Sequence, residues 1–233
     1  MTTLSNDDVV SAPPTTTAAA TTKAEDHHPI NPPAIPYNFA PLTSSSSSSS
    51  SSTSNIIDNT NNDSFNYIYG CQRPGASNEL SSYGAIKQSD VDEWVDYVKE
   101  NGTIKRSLCL LNETEIGFYE QPGYKKMLEK RNIYATMCNL SIPNSKDIAL
   151  NALRDAVENK ECIAVHCSGG EGRTGVILGL WCSSVGVASS STSTTTTIKD
   201  ASDYVLKEAK KLNVVRKPNV HKITTLIEKG YLP

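Results

Sequence analysis

Cys162-Ile163-Ala164-Val165 runs directly into His166-Cys167-Ser168-Gly169-Gly170-Glu171-Gly172-Arg173-Thr174-Gly175, and an apolar stretch from Val176 to Cys182 follows. The first four residues are small or apolar, as in a short strand buried on both faces of a parallel sheet. Val176 to Cys182 is apolar nearly all round, the pattern of a helix that runs through the middle of a domain. Strand, glycine-rich turn and helix in that order place the turn beyond the carboxyl end of a sheet, where open α/β folds gather their active residues.

The turn has a chemistry of its own. Five residues separate Cys167 from Arg173, and three of them are glycine. Glycines let consecutive backbone N–H groups turn inward as a nest for an anion, and the following helix adds the positive end of its dipole. Ser168, Gly169, Gly170, Glu171, Gly172 and Arg173 thus form a candidate cradle for a phosphoryl group. Arg173 offers a planar fork for two of its oxygens. The same field favours thiolate over thiol at Cys167 and so prepares a nucleophile. Attack on phosphorus gives a cysteinyl-phosphate that water hydrolyses, and Thr174 is placed to hydrogen-bond the sulfur as it leaves. His166 orders the loop. The stretch lacks the lysine that a nucleotide-binding Gly-rich loop carries before its Ser or Thr.

The rest of the chain supports an α/β fold with a central, largely parallel sheet. Residues 1–63 are rich in Thr, Ser, Asn, Pro and Ala, with an unbroken serine run from Ser44 to Ser52. This composition buries too little apolar surface to order itself and reads as a disordered tail. Residues 64–233 read as one domain of about 170 residues, a length that supports a full core. Tyr67-Ile68-Tyr69 alternates like a strand and ends in the turn run Gly70 to Gly75. A helix follows, started by Ser89 and closed by Gly102 as a left-handed cap, with Val91, either Trp94 or Val95, and Val98 at helical spacing. Ile104 to Leu111 and Ile133 to Leu140 read as strands, with Pro122 in the first turn of a helix between them. Ser145 caps a helix carrying Leu150, Leu153 and Val157. Ser189 to Thr197 reads as a low-complexity insertion at about 188–198. Asp200 caps the next helix, and a last one spans about Asn219 to Lys229, ending at Gly230.

Composition excludes several classes. A formal net charge of −3 with no Lys/Arg-rich run gives no footprint for nucleic acid or anionic lipid. No apolar run is long enough to span a membrane and no secretory signal is present, so the expectation is a soluble, cytoplasmic protein. The first 63 residues carry Asp7, Asp8, Glu25 and Asp26 and no arginine, which does not support organelle import. The six cysteines are scattered without a Cys-x-x-Cys pair, which argues against a disulfide framework and a metal site alike. Oxidation of Cys167 and trapping by Cys71, Cys109 or Cys162 is conceivable on thiol chemistry alone.

His166 to Gly175 resembles the signature loop of the cysteine-based protein-tyrosine and dual-specificity phosphatase superfamily, Cys-x5-Arg-Ser/Thr. Cys71-Gln72-Arg73-Pro74-Gly75, Val91 to Trp94, Ile104-Lys105-Arg106 with Cys109-Leu110-Leu111, and Arg216-Lys217-Pro218 resemble, in order, landmarks of its small microbial dual-specificity-like members. The resemblance implies a four- or five-stranded, mainly parallel sheet flanked by helices, no metal or cofactor, and phosphorylated protein substrates bearing phosphotyrosine or a mixture of phosphoresidues. It also implies a general-acid aspartate after a proline. Here Asn144 follows Pro143, and asparagine has no proton to give. Asp147, three residues on, either supplies that proton or merely favours the N-terminal end of its helix. Without an acid the chain becomes a phosphoprotein-binding module. Phosphatases of inositol lipids or RNA ends would require more lysine near the loop than Ser168 and Glu171 provide.

Overall fold

A computed structural model of the chain describes residues 35–44, 63–186 and 194–233. Within them the strands are β1 (Ala40–Pro41), β2 (Ile68–Gln72), β3 (Ile104–Cys109), β4 (Tyr134–Met137) and β5 (Cys162–Cys167). They form one sheet in the order β1-β2-β5-β3-β4. Every pairing is parallel except that of β1 with β2. The helices are α1 (Gln88–Gly102), α2 (Glu113–Ile116), α3 (Tyr124–Glu129), α4 (Ser145–Glu158), α5 (Gly172–Ser184), α6 (Thr194–Lys211) and α7 (Val220–Lys229).

β5 is the central strand because its residues suit burial on both sides. Ile163, Val165 and Cys167 face a cluster built with α4 to α7, while Ala164 faces one built with α1 and α3. The period of two along the strand sends alternate side chains into the two layers. From Thr174 to Cys182 every residue of α5 is buried, as its unbroken apolar run requires.

Several boundaries differ from the sequence expectation. β2 continues through Gly70, Cys71 and Gln72, so the turn begins only after Gln72. β3 and β4 end short of Leu111 and Leu140. α1 starts at Gln88, not at a Ser89 cap, and the Asp90 carboxylate accepts the Lys87 N–H at 2.7 Å. Thr103, with φ 49°, holds the left-handed position expected of Gly102. Gly102 serves packing instead: a Cβ there would lie 2.6 Å from Phe39 Cζ and 3.0 Å from Tyr69 Cε1. Pro122 precedes α3 by two residues, after a cis peptide bond, and is not in its first turn. Asn144, not Ser145, occupies the N-cap of α4 in a left-handed conformation. The Ser145 hydroxyl instead reaches the Leu140 and Gly230 carbonyls, each at 3.1 Å. α6 begins at Thr194, inside the expected insertion, so Asp200 is an interior residue of the helix and not its cap; residues 187–193 lie outside the described residues. α7 matches expectation, with Asn219 Oδ1 accepting the Lys222 N–H and Gly230 left-handed at φ 79°.

The largest correction concerns residues 35–44, which composition assigns to the tail. They supply β1 and bury Phe39, Ala40 and Leu42. Phe39 stacks on Tyr69 with ring centroids 5.1 Å apart, and the Leu42 N–H reaches the Ile68 carbonyl at 2.7 Å. Ser44 donates through both N–H and Oγ to Glu208. Of the rest of the expected tail, Asp63 opens a short 3-10 helix that runs to Tyr67, and the other residues lie outside the described residues.

Phe39→Ala removes a ring that is only 5% exposed. The expected cost is about 3 kcal/mol of unfolding free energy, read from urea titration of the full chain. A midpoint equal to that of the unmodified chain would mean that this segment is not part of the core.

Candidate active site

The Cys167–Arg173 turn leaves the carboxyl end of β5 and enters α5 at Gly172. Its shape depends on Gly170, which has φ 69° and whose Cβ would stand 2.5 Å from the Cys71 carbonyl carbon. No other residue fits so close to the β2 backbone. Gly169 and Gly172, by contrast, face open space, with nothing within 4 Å of a Cβ. β2 grips the start of the turn through the Arg73 N–H, which donates to the Cys167 carbonyl at 2.9 Å. Among the described residues, the amides of Ser168, Gly169, Gly170 and Glu171 donate to no protein acceptor. Consecutive amides of this kind are able to receive an anion.

Cys167 is buried, with the Thr174 hydroxyl donating to its sulfur at 3.2 Å. This is the partnership expected from the sequence. Arg173 is held from behind by Glu115, which accepts from Nη1 and Nη2 at 2.6 Å each, while Nη1 also donates to the Leu110 carbonyl at 2.8 Å. A guanidinium has five N–H donors. Three are used by these partners, and the remaining two, on Nε and Nη2, form a second fork for two oxygens of a bound anion. Burial pushes the Glu115 carboxyl up, but the hydrogen bonds from Arg173 and the Asn112 amide outweigh it and hold the carboxyl below its ordinary range. Glu115 is thereby a fixed anion. It is set in place by a reciprocal cap with Asn112 at the start of α2, 2.9 Å in both directions.

His166 lies beneath the turn in a fully buried chain: Ser107 Oγ to Tyr124 OH at 2.7 Å, and Tyr124 OH to His166 Nε2 at 2.5 Å. Burial, with Arg173 and Arg73 nearby, lowers its pKa to about 3, so the ring is neutral. Its Nδ1 has no hydrogen-bond partner among the described residues, so no side-chain bond to the turn stands behind the ordering role expected of it. Glu171 turns outward to pair with Lys217 at the surface, a contact of small energetic weight. Its carbonyl accepts the N–H groups of Gly175 and Lys217 at 2.9 and 3.1 Å.

Two further arginines stand at the turn. Arg73, 1% exposed, donates to Pro74, Leu80 and Ser81, lies over the Phe118 ring at 5.5 Å, and leaves Nε without a partner. Arg216, 5% exposed, reaches the Gly170 carbonyl at 3.0 Å. Sequence reasoning placed both within landmarks but gave neither a role, and it missed Glu115 and Tyr124. Glu115 carried one local signal, the Asn112-x-x-Glu115 capping pattern just after Leu110-Leu111.

Asp147 stands apart from this group. Its side chain is 65% exposed, 3.9 Å from Lys146 Nζ, and among the described residues it makes no hydrogen bond to the turn. The segment before it is tied to the C-terminus, with the Lys146 N–H donating to Gly230 and the Leu232 N–H to Leu140. All six cysteines are free thiols; Cys109, Cys138 and Cys182 are pushed up to about 12 by burial. Among the described residues no cluster of three metal-ligating side chains occurs, and no helix is long and apolar enough to cross a membrane.

No family model and no curated protein sequence matches the chain. Solved structures do. PTPMT1 in complex with PI(5)P is similar at 10% identity over 68% of this chain and 87% of its own, with a TM-score of 0.47. Tk-PTP in the active form is 16% identical over 70% and 91% of the two chains, at 0.45. Kinase associated phosphatase, with its catalytic-site cysteine replaced by serine, is 15% identical over 63% and 87%, at 0.41. These similar structures are cysteine-based protein-tyrosine and dual-specificity phosphatases, the superfamily that the signature loop resembles.

Burial of His166 has a pH signature. Its pKa is about 3 in the folded chain and about 6.5 when exposed, so the unfolded chain holds an extra proton between those values. Stability is therefore full above about pH 6.5 and falls as the pH drops toward 3, by about 1.4 kcal/mol per pH unit from this residue. Urea titrations at pH 7 and pH 5 should show a steeper acid loss in the unmodified chain than in His166→Gln. Equal losses would contradict the assignment.

Proposed function

We propose that this chain is a phosphatase that hydrolyses phosphorylated protein substrates, phosphotyrosine foremost, through a cysteinyl-phosphate on Cys167. The observation that carries the reading is the convergence at one turn of a buried thiol with a hydroxyl 3.2 Å away and an arginine whose free fork is set by Glu115. Cys167 attacks phosphorus as the thiolate, the bond to the leaving oxygen breaks, and that oxygen takes up a proton. Water then attacks the cysteinyl-phosphate, releasing inorganic phosphate and the thiolate, which the Thr174 hydroxyl stabilises. Arg173 and the unpaired loop amides hold the three equatorial oxygens as charge moves. Phosphoserine and phosphothreonine are further substrates on the same chemistry.

Asp147 is our candidate for the proton donor. To reach the leaving oxygen, the segment that carries it must approach the turn, against its ties to Gly230 and Leu140. That placement favours a second reading, in which the loop binds phosphoproteins and hydrolyses them negligibly. The turn itself carries the Glu171 carboxylate and no lysine, and Lys217, brought beside it, is paired with that carboxylate, which supports monoesters over polyphosphorylated lipids or RNA ends.

Steady-state hydrolysis of a phosphotyrosine peptide separates these readings. Cys167→Ser is expected to lose roughly 10⁴-fold or more in kcat. Glu115→Gln, which loosens the Arg173 fork, is expected to lose about 10²-fold in kcat/KM. Asp147→Asn is expected to lose about 10²-fold in kcat on the peptide and little on p-nitrophenyl phosphate, whose leaving group needs no proton. An unmodified chain that binds the peptide without turnover would establish the binding module instead.

A further inference from the structure

Arg216 is a buried cation without a counter-ion. Its Nη1 donates to the carbonyls of Gly170 and Val215 at 3.0 and 2.9 Å, and its Nη2 to those of Asn38 and Gly70 at 2.8 and 2.6 Å. Four terminal N–H groups thus meet four carbonyls, and no carboxylate lies within ion-pair distance among the described residues. Carbonyl dipoles satisfy the hydrogen bonds but do not cancel the charge, and an uncancelled buried charge is retained against a desolvation penalty. The surroundings are built to accept it. A Cβ on Gly70 would lie 2.7 Å from its Nε. Asn38 and Val215 exchange two side chain-to-backbone hydrogen bonds, each 2.9 Å, beside it. The following residues run along the back of the turn, where a Cβ on Gly175 would meet Pro218 N at 2.8 Å.

Its bond to Gly170 has a geometric consequence. In a trans peptide the carbonyl of one residue and the N–H of the next point opposite ways. Anchoring the Gly170 carbonyl to Arg216 therefore fixes the Glu171 N–H in the other direction, and that amide has no protein acceptor among the described residues. A reversed peptide would aim a carbonyl oxygen at any bound anion.

We propose that Arg216 is a positioning residue of the phosphate site: it locks the Gly170–Glu171 peptide with its N–H toward the anion and supplies a fixed positive charge behind Cys167. The proposal rests on reading the turn as a phosphate site. It also gives residues 35–44 a functional role, because Asn38 closes the cage around the guanidinium. Burial, opposed by the nearby Cys71, Cys167 and Glu171, brings Arg216 down to about 10, so it remains charged at neutral pH.

The test uses the full chain with Arg216→Met, Arg216→Lys and Gly70→Ala, the last of which displaces the guanidinium without removing it. Binding of inorganic phosphate is read by competitive inhibition or calorimetry, iodoacetamide alkylation of Cys167 at pH 6 by mass spectrometry, and folding by circular dichroism. All three variants are expected to bind phosphate about tenfold more weakly. Arg216→Met is also expected to alkylate more slowly, whereas Arg216→Lys, which keeps the charge, alkylates near the original rate. If Arg216→Met does not fold, Arg216→Lys and Gly70→Ala decide the matter. Folded variants with unchanged phosphate affinity and alkylation overturn the proposal while leaving the phosphate site standing. An unmodified chain that binds no phosphate overturns the phosphate-site reading beneath it.

Discussion

One glycine-rich turn is held by arginines on two sides, the Arg173 guanidinium within it and the Arg216 guanidinium on its Gly170 carbonyl, with the Arg73 backbone N–H on the Cys167 carbonyl, and the structure around it depends on holding them in place. Among the described residues only Arg173 of the three pairs with a carboxylate, Glu115, and its partners leave two of its five N–H donors free. Arg73 and Arg216 meet carbonyls, a hydroxyl and an aromatic face, which leave their charge in place, and Arg73 Nε has no partner at all among the described residues. Electrostatic attraction for an anion is worth most where water is excluded. Burial keeps His166 neutral, and the same field reinforces it, since a further cation there would face Arg173 and Arg73.

The sheet delivers these groups to one point. β2, β5 and β3 run parallel, so their carboxyl ends release Arg73, Cys167 and the Leu110 segment side by side. Cys71 and Cys109 both lie opposite His166 in register, and the Leu110 N–H adds a bond to the His166 carbonyl at 2.9 Å. Glycine appears where backbones or arginines must come close, at Gly70, Gly170 and Gly175. Fold and site are thus one problem: the approach of strand to turn that Gly170 permits is also what brings Cys167 and Arg173 to the same cradle.

The sequence made the turn and its two flanking elements legible because their determinants are local: a run of apolar residues, a fixed Cys-to-Arg spacing, a string of glycines. What it hid was long-range. Glu115 and Arg173 are 58 positions apart, and Arg216 and Asn38 are 178 apart. Neither pairing leaves a periodic trace. Residues 35–44 were masked by their neighbours, since the Thr- and Ser-rich composition around them swamps the apolar pair Phe39 and Leu42. The start of α6 was misjudged because threonine has modest helix propensity, which packing of Ile198, Ala201 and Val205 against the core overrides. The left-handed cap expected of Gly102 falls on Thr103, while Gly102 packs against Phe39 with no room for a Cβ.

Covalent trapping at Cys167 tests the central claim most directly. The chain is mixed with a phosphotyrosine peptide, quenched within milliseconds, and its peptides are mapped by mass spectrometry. The expected result is a single phosphoryl group on Cys167 that appears before free phosphate accumulates. Release of phosphate with no phosphocysteine at any time, or a phosphoryl group on another residue, would contradict the account.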